Sequence, residues 1–259
     1  MSAQTLPPSD RVRTAVIGMG GRGSELMRVF SKVPGVEVAA VVDPDSTRGE
    51  AASSWLLQNT GKGALVERDM RRVFADKSID AVIVTNTNHW HALTAIWAMQ
   101  AGKHVYVEKP VSHNIFEGSK LVEAARKYDR IVQGGTQRRS SARMRKAMQM
   151  LHDGVIGDIY LAKWFFAGQR NSIGFKPVEQ PPSALSWDLW LGPAQEQPFH
   201  RNLVHYNWHW FWDFGGGELA NNGPHFVDVA RWGIRRELPV KIHCWGGRFG
   251  YKDQADRKS

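Results

Sequence analysis

The chain has 259 residues, 42% hydrophobic and 23% charged. At roughly 150 residues per domain this implies about two globular domains and excludes disordered, collagen-like and coiled-coil classes. A single cysteine, Cys244, excludes a disulfide framework and a multi-cysteine zinc module and suits a reducing compartment. The net charge of +9 arises from 34 Lys+Arg against 25 Asp+Glu and can draw anionic ligands. Its one dense stretch, residues 137–146 (QRRSSARMRK), is expected to be a solvated helix face. With no helix-turn-helix, finger or RNP signature, no nucleic-acid partner is expected. No run approaches the ~18–20 apolar residues of a membrane span, and the leader MSAQTLPPSD has neither an apolar h-region nor a twin arginine. No membrane partner and a cytoplasmic location are therefore expected.

In chain order, residues 13–18 (RTAVIG) form a compact apolar run ending in glycine, and Leu26, Val29 and Phe30 recur at helical spacing. Residues 36–42 (VEVAAVV) are continuous and β-branched and stop at Asp43-Pro44-Asp45. The alternation repeats as a strand at 79–85, a helix at 91–100, a strand at 104–107, a helix at 116–128 and a strand at 130–133. Short apolar strands alternating with helices predict a doubly wound parallel sheet covered on both faces, with ligands beyond the strands' carboxyl ends.

The first strand leads into Gly18-Met19-Gly20-Gly21-Arg22-Gly23, a G-x-G-x-x-G that opens a helix. Gly18 permits the tight turn, Gly20 lets a pyrophosphate approach the backbone, and Gly23 lets the helix pack on the strand. Asp43 follows Gly23 by 20 residues, at the end of the second strand, where a carboxylate accepts hydrogen bonds from a ribose diol and repels a 2′-phosphate. The expected cofactor is NAD, with NADP disfavoured. The competing reading is a structural glycine turn beside a surface acid. His89 and His91 in residues 86–91 (NTNHWH) are two apart and do not share a helix face, and no nearby acid or cysteine completes a ligand set, so no metal is expected. Asn88 is expected to cap the helix with one histidine facing the cleft. Glu108-Lys109-Pro110 closes the next strand. A lysine there can hold a substrate hydroxyl and stabilise alkoxide character, with Glu108 orienting it; a surface lysine in a proline-stopped turn is the alternative.

The glycine loop, Asp43, Asn88 to His91, Glu108-Lys109-Pro110 and Gln137-Arg138-Arg139 occur in the order and at about the separations found in the Gfo/Idh/MocA oxidoreductases. So do residues 187–194 (WDLWLGPA), 206–214 (YNWHWFWDF) and 215–217 (GGG), followed by Gly223-Pro224-His225 and Asp228. The chain resembles this family from about Val12 to Trp245. The resemblance implies a nicotinamide dinucleotide and a small-molecule sugar, cyclitol or related polyol as substrate. It implies a Rossmann domain over residues 1–138 and an α+β substrate domain with an open, incomplete sheet over 139–259. It adds Asn86, Asn88, His91, Glu108, Lys109, Pro110 and Gln137 to the glycine loop and Asp43 as cofactor contacts. Family members continue into a larger sheet, so the chain is expected to be C-terminally shortened, and a complete second domain is expected to support a homo-oligomer.

Eight of the eleven tryptophans lie after Lys146. After a helix at 142–152, residues 159–166 (IYLAKWFF) read as a strand followed by Arg170, and residues 240–245 (VKIHCW) as another. If 206–212 is extended, Trp208, Trp210 and Trp212 share one face. They then form either a stacking platform for a sugar, with His209 and Arg170 near its hydroxyls, or ordinary core. The resemblance places an acid and, four residues later, a histidine on the helix after the glycine run, at positions held here by Asn221 and His225. Asn221 can position a hydroxyl but cannot carry a proton, which leaves Lys109 and His225 as the polarising and acid/base groups. An unperturbed imidazole, near about 6.5, suits that work. Asp228 is expected to fix the imidazole tautomer or bind a further hydroxyl. Pro224 suits a helix's first turn, so a helix starting there weakens the shared face of Asn221 and His225. The expected activity is hydride transfer between the nicotinamide and a CH–OH carbon. The alternatives are glycoside cleavage through transient oxidation and a catalytically silent dinucleotide-binding regulator.

Overall fold

The computed structural model describes residues 10–166, 168, 170–235, 239–247 and 249–256. Most of the polar leader and the last three residues of the tail lie outside them. Six parallel strands build one sheet: β1 (Val12–Ile17), β2 (Val36–Val42), β3 (Leu65–Glu67), β4 (Ala81–Val84), β5 (His104–Glu108) and β6 (Val132–Gly135), in spatial order β3-β2-β1-β4-β5-β6. The order reverses between β1 and β4, which opens a crevice at their carboxyl ends. The connecting helices are α1 (Gly21–Phe30), α2 (Ser46–Thr60), α3 (Met70–Ala75), α4 (Asn88–Gln100) and α5 (Ile115–Lys127). The three-residue edge strand β3 and the helices α2 and α3 were not among the sequence-based expectations.

Period-two alternation sends strand residues into two cores. Ala15, Ile17, Val82, Val84, Val105 and Val107 pack against α4 and α5, whereas Val16, Val41 and Ile83 pack against Leu26 and Met27 of α1 and Leu56 of α2. Local chemistry sets the helix ends. Asp45 caps α2 by accepting from Thr47 N–H, and Gly61 ends it in the left-handed region at φ 75°.

The second region is built differently. Helix α6 (Ala142–His152) follows a single 3₁₀ turn, Gln137–Ser140, and later come α7 (Trp187–Leu191), a 3₁₀ turn at Asn207–Trp210, α8 (Gly217–Asn221) and α9 (Gly223–Ile234). The strands expected at 159–166 and 240–245 do not form, and among the described residues the only pairing here is isolated bridges, Asp45 with Leu185 and Val178 with His200. An apolar run becomes a strand only when a neighbour accepts its ladder hydrogen bonds, and these runs have none. In place of a second sheet, Leu185, Trp190, Leu191, Phe199, Leu203, Trp208, Phe211 and Phe214 form an aromatic-rich core. No helix among the described residues is long and apolar enough to cross a membrane.

Candidate active site

A cleft of about 780 Å³ runs across the carboxyl ends of β1, β2, β4 and β5 and is closed on its far side by α7, α8 and the 3₁₀ turn of the second region. Gly18, Gly20, Gly21 and Arg22 line it. Gly18 has φ +93°, and a Cβ there would lie 2.6 Å from Asn86 Cα. A Cβ on Gly23 would lie 1.8 Å from the Gly18 carbonyl oxygen. Gly23 therefore holds α1 against the loop as the motif requires. A Cβ at Gly21 meets nothing within 4 Å, so the loop presents open backbone to the cleft. Met19 is buried and takes part through its N–H, which donates to Asp43 Oδ2 at 2.7 Å. Asp43 Oδ1 accepts from Asp45 N–H at 2.9 Å. Burial pushes the Asp43 carboxyl up to about 6, against the pull of those two N–H groups.

Beyond β4, Asn86 and Asn88 line the cleft. The Oδ1 atom of each is buried without a hydrogen-bond partner among the described residues. Buried acceptors of this kind carry a desolvation cost unless a ligand donor satisfies them. These two acceptors, the open glycine backbone and the Asp43 carboxylate together fit a dinucleotide. Asn88 is the first residue of α4 and does not cap it; the cap position belongs to Thr87. Of the two histidines of this motif, His91 lines the cleft, with both ring nitrogens engaged. His91 is buried with Nδ1 2.6 Å from the Pro110 carbonyl and Nε2 2.9 Å from that of Asn86. It ties the β4 and β5 turns together, and burial holds it below its ordinary value although both carbonyls pull upward. Pro110 thus acts through its carbonyl, after a cis Lys109–Pro110 bond. His89 sets Nε2 3.0 Å from Leu191 O, and burial pushes it down to about 3. Trp90 Nε1 donates to Trp190 O at 3.1 Å. The histidine-rich motif is therefore a dock for the second region. No group of three or more His, Cys, Asp or Glu that could hold a metal occurs among the described residues.

At the end of β5, buried Glu108 accepts from Arg22 Nε at 2.8 Å and from the Lys109 N–H at 3.1 Å. It thereby braces the glycine loop and the lysine's backbone; the Lys109 side chain turns elsewhere. Its Nζ donates to Asn221 O at 2.7 Å and lies 3.4 Å from Asn221 Oδ1. Burial holds the Lys109 amine below its ordinary value, with Glu108 and Glu218 pulling upward and Arg22 pushing down. Asn221 and His225 both line the cleft, as does Gln137. The expected continuous helix is broken. Asn221 ends α8, and Pro224 sits in the first turn of α9, because proline has no N–H to continue an earlier helix. The two side chains nevertheless reach the same cleft, through the sharp join and not through a shared helix face. His225 is half-buried and its Nδ1 has no hydrogen-bond partner among the described residues. Burial and then the Lys109 charge push it down from its ordinary value, so the ring is neutral near pH 7.

Among the described residues, Asp228 makes no hydrogen bond to His225 Nδ1. It takes a bidentate grip from Arg139, with Nε at 2.8 Å from Oδ2 and an Nη at 2.8 Å from Oδ1. A guanidinium fork outcompetes a single imidazole N–H for a carboxylate. Arg170 likewise lies outside the cleft lining. It pairs with buried Glu218 at 3.1 Å and packs 5.3 Å over the Trp210 ring. The three indoles do not share a face: Trp208 is core and touches the cleft, whereas Trp212 is 57% exposed. His209 stacks on Trp208 with ring centroids 3.6 Å apart. It lines the cleft, and burial pushes it down to about 4. Sequence reasoning missed Glu218, Arg139 as the partner of Asp228, and Arg48 in the lining. Glu218 and Arg48 carry no motif signal; Arg139 stands in the Gln137-Arg138-Arg139 motif, but its partner Asp228 is distant in sequence.

Residues 12–136 match the oxidoreductase family, NAD-binding Rossmann fold (Gfo/Idh/MocA), and residues 155–246 match that family's C-terminal alpha/beta domain. An inositol 2-dehydrogenase of Salmonella typhimurium is 32% identical over 176 residues, 67% of this chain and 50% of that protein. A glycosyl hydrolase family 109 protein of Solibacter usitatus is 34% identical over 132 residues, 48% of this chain and 30% of that protein. Among solved structures, the myo-inositol dehydrogenase of Lactobacillus casei in complex with NAD(H) and myo-inositol superposes with a TM-score of 0.52 at 28% identity. That match covers 57% of this chain and 43% of the other. The chain thus spans about half the length of the inositol dehydrogenases it matches.

Proposed function

Because this chain belongs to the Gfo/Idh/MocA oxidoreductase family and carries its NAD-binding Rossmann domain, we propose that it transfers hydride between NAD and the CH–OH carbon of a sugar, cyclitol or related polyol. Residues 1–138 are assigned to cofactor binding and 139–259 to the substrate. The observation that carries the reading is convergence. Lys109 from the end of β5 and His225 from α9 line one cleft with the glycine loop, and Lys109 is bonded to Asn221 of α8.

The glycine loop, Asp43, Asn86 and Asn88 would hold the dinucleotide, which when bound supplies the hydride acceptor or donor. The chain's own residues do the rest. The Lys109 ammonium, already aimed at an oxygen acceptor, exchanges the Asn221 carbonyl for a substrate hydroxyl oxygen and stabilises negative charge that develops there. His225 is neutral and can take the hydroxyl proton; burial and then the neighbouring cation keep the ring in that form. The Asn221 amide orients a hydroxyl and exchanges no proton.

The test is incubation of purified protein with NAD+ and a panel of polyols including myo-inositol. The appearance of NADH supports the reading, and no NADH from any polyol or sugar, with NAD+ bound, defeats it in favour of a silent regulator. Similarity to the family 109 glycosyl hydrolase supports a second reading, glycoside cleavage through transient oxidation. That reading requires glycoside turnover without net NADH.

A further inference from the structure

Glu218 stands in the first turn of α8, outside the cleft lining, and is only 8% exposed. A carboxylate so buried is costly unless its charge is met. Arg170 meets it as a fork, with Nε 3.1 Å from Oε2 and Nη2 3.3 Å from Oε1. The rings of Phe166 and Trp210 lie 5.5 and 5.3 Å from that guanidinium. The Asn222 amide also donates to Glu218 Oε1. Asn222 is the residue between α8 and α9. Its N–H donates to the Glu218 carbonyl at 2.9 Å, and its own carbonyl accepts from the His225 N–H at 3.1 Å. One residue thus fixes the join that sends Asn221 and His225 into the cleft, where the Asn221 oxygen holds Lys109 Nζ.

Charge reaches the same amine. The titratable groups facing Lys109 are Glu108 at the end of β5, Arg22 of α1, Glu218 of α8, His209 of the 3₁₀ turn and His225 of α9. Both histidines are pushed down by burial and carry no charge near neutral pH. Glu108 is gripped by Arg22 and Glu218 by Arg170, so the charge left to balance the ammonium depends on those two arginines.

We propose that Glu218 is a positioning residue of the active site. Through Asn222 it sets the join that brings His225 and the Asn221 oxygen to Lys109, and its carboxylate, shared with Arg170, is the counter-charge that the ammonium meets from α8. The use of that ammonium in turnover rests on the hydride-transfer reading; the link between Glu218 and Lys109 does not.

The test follows the Lys109 amine by NMR of purified protein carrying isotope-labelled lysine, its signal assigned by absence from Lys109→Met. Glu218→Gln keeps an acceptor for Asn222 and removes the charge, so the titration midpoint of Lys109 is expected to fall by about one pH unit. Arg170→Met releases the carboxylate from its partner and is expected to raise the midpoint by about as much. Arg170→Lys keeps the charge and is expected to leave it nearly unmoved. A carboxylate that merely braces the fold gives another pattern: loosening of α8 admits water, and the midpoint rises toward the ordinary lysine value in all three variants. That pattern overturns the proposal, as does an unmoved midpoint in Glu218→Gln or Arg170→Met. If Glu218→Gln does not fold, the two Arg170 variants decide. A rise confined to Arg170→Met supports the proposal, and equal rises in both overturn it. Turnover of an active polyol gives the second readout, since its alkaline limb should move down with the amine in Glu218→Gln. A limb that stays while the amine moves removes Lys109 from the chemistry and leaves Glu218 in place. Absence of NADH from every polyol defeats the hydride-transfer reading, and the amine titration still decides the role of Glu218.

Discussion

The two regions that face each other across the cleft are held by different forces. Between β1 and β6 every strand is paired in parallel register, and backbone ladders position the glycine loop, Asp43 and Lys109. The second region has no sheet among its described residues. It is held by ring contacts such as Trp187 stacked on Trp190 at 4.9 Å and by side chains of α4 reaching its carbonyls. The comparison teaches that the glycine loop, Asp43 and Lys109 rest on a self-sufficient scaffold, whereas Asn221 and His225 rest on a docked one. Damage to the second region should therefore cost catalysis before it costs cofactor binding.

The largest effect tests the proposed catalytic roles of Lys109 and His225. His225→Asn or Lys109→Met should lower turnover of the polyol found in the panel by about 10²–10⁴-fold, the range for losing a positioned proton-transfer group, while calorimetry still registers NAD+. Loss below threefold in both variants would sever the two sides of the cleft from the chemistry. Next comes Phe214→Ala. Phe214 is fully buried, with ring centroids 5.0 Å from His89 and 4.8 Å from Trp190, and its removal should cost about 3–5 kcal/mol of stability in the second region. NAD+ binding should persist; its disappearance would mean that the regions fold as one unit and would break the comparison.

On the other side, Gly23→Ala puts a methyl 1.8 Å from the Gly18 oxygen and 2.7 Å from Thr85 Oγ1. Overpacking of this kind should cost about 1–3 kcal/mol or more, read as a lowered Tm together with weakened NAD+ binding. An unchanged Tm would show that the loop can yield. The smallest effect concerns Asp43. With its carboxyl raised to about 6, the acceptor form is lost as the pH falls through that value, so the Kd for NAD+ should rise by up to about tenfold between about pH 7.5 and 5. Its contribution to stability runs the other way. A raised carboxyl favours the folded state below the ordinary value of 3.8, and that contribution is lost as the pH rises through about 6. A Kd that stays flat in pH while Asp43→Asn still weakens NAD+ would place the titration elsewhere.

Much of the cofactor half was legible because each of its signals is local. A β-branched run, a glycine that must take a positive φ and an acid at a strand end all act within a few residues of themselves. The expected strands at 159–166 and 240–245 failed because a strand needs a partner, and the extended 206–212 became a 3₁₀ turn because tryptophans satisfy a core equally well in either form. Asp228 does not fix the His225 tautomer, and the contacts of His89 and His91 were not foreseen, for one reason: Arg139, Leu191 and Pro110, which engage them, are brought up by the fold and not by the neighbouring sequence.

By itself the sequence determined that a glycine loop, the acid Asp43 and a strand-end lysine stand in one crevice, because period-two apolar runs and glycine stereochemistry leave the backbone little choice. Tertiary structure alone decided that the amine meets Asn221 and that the imidazole reaches the same cleft across a broken helix. Those outcomes depend on burial and on which distant charge arrives first, and neither is written in the spacing of residues along a chain.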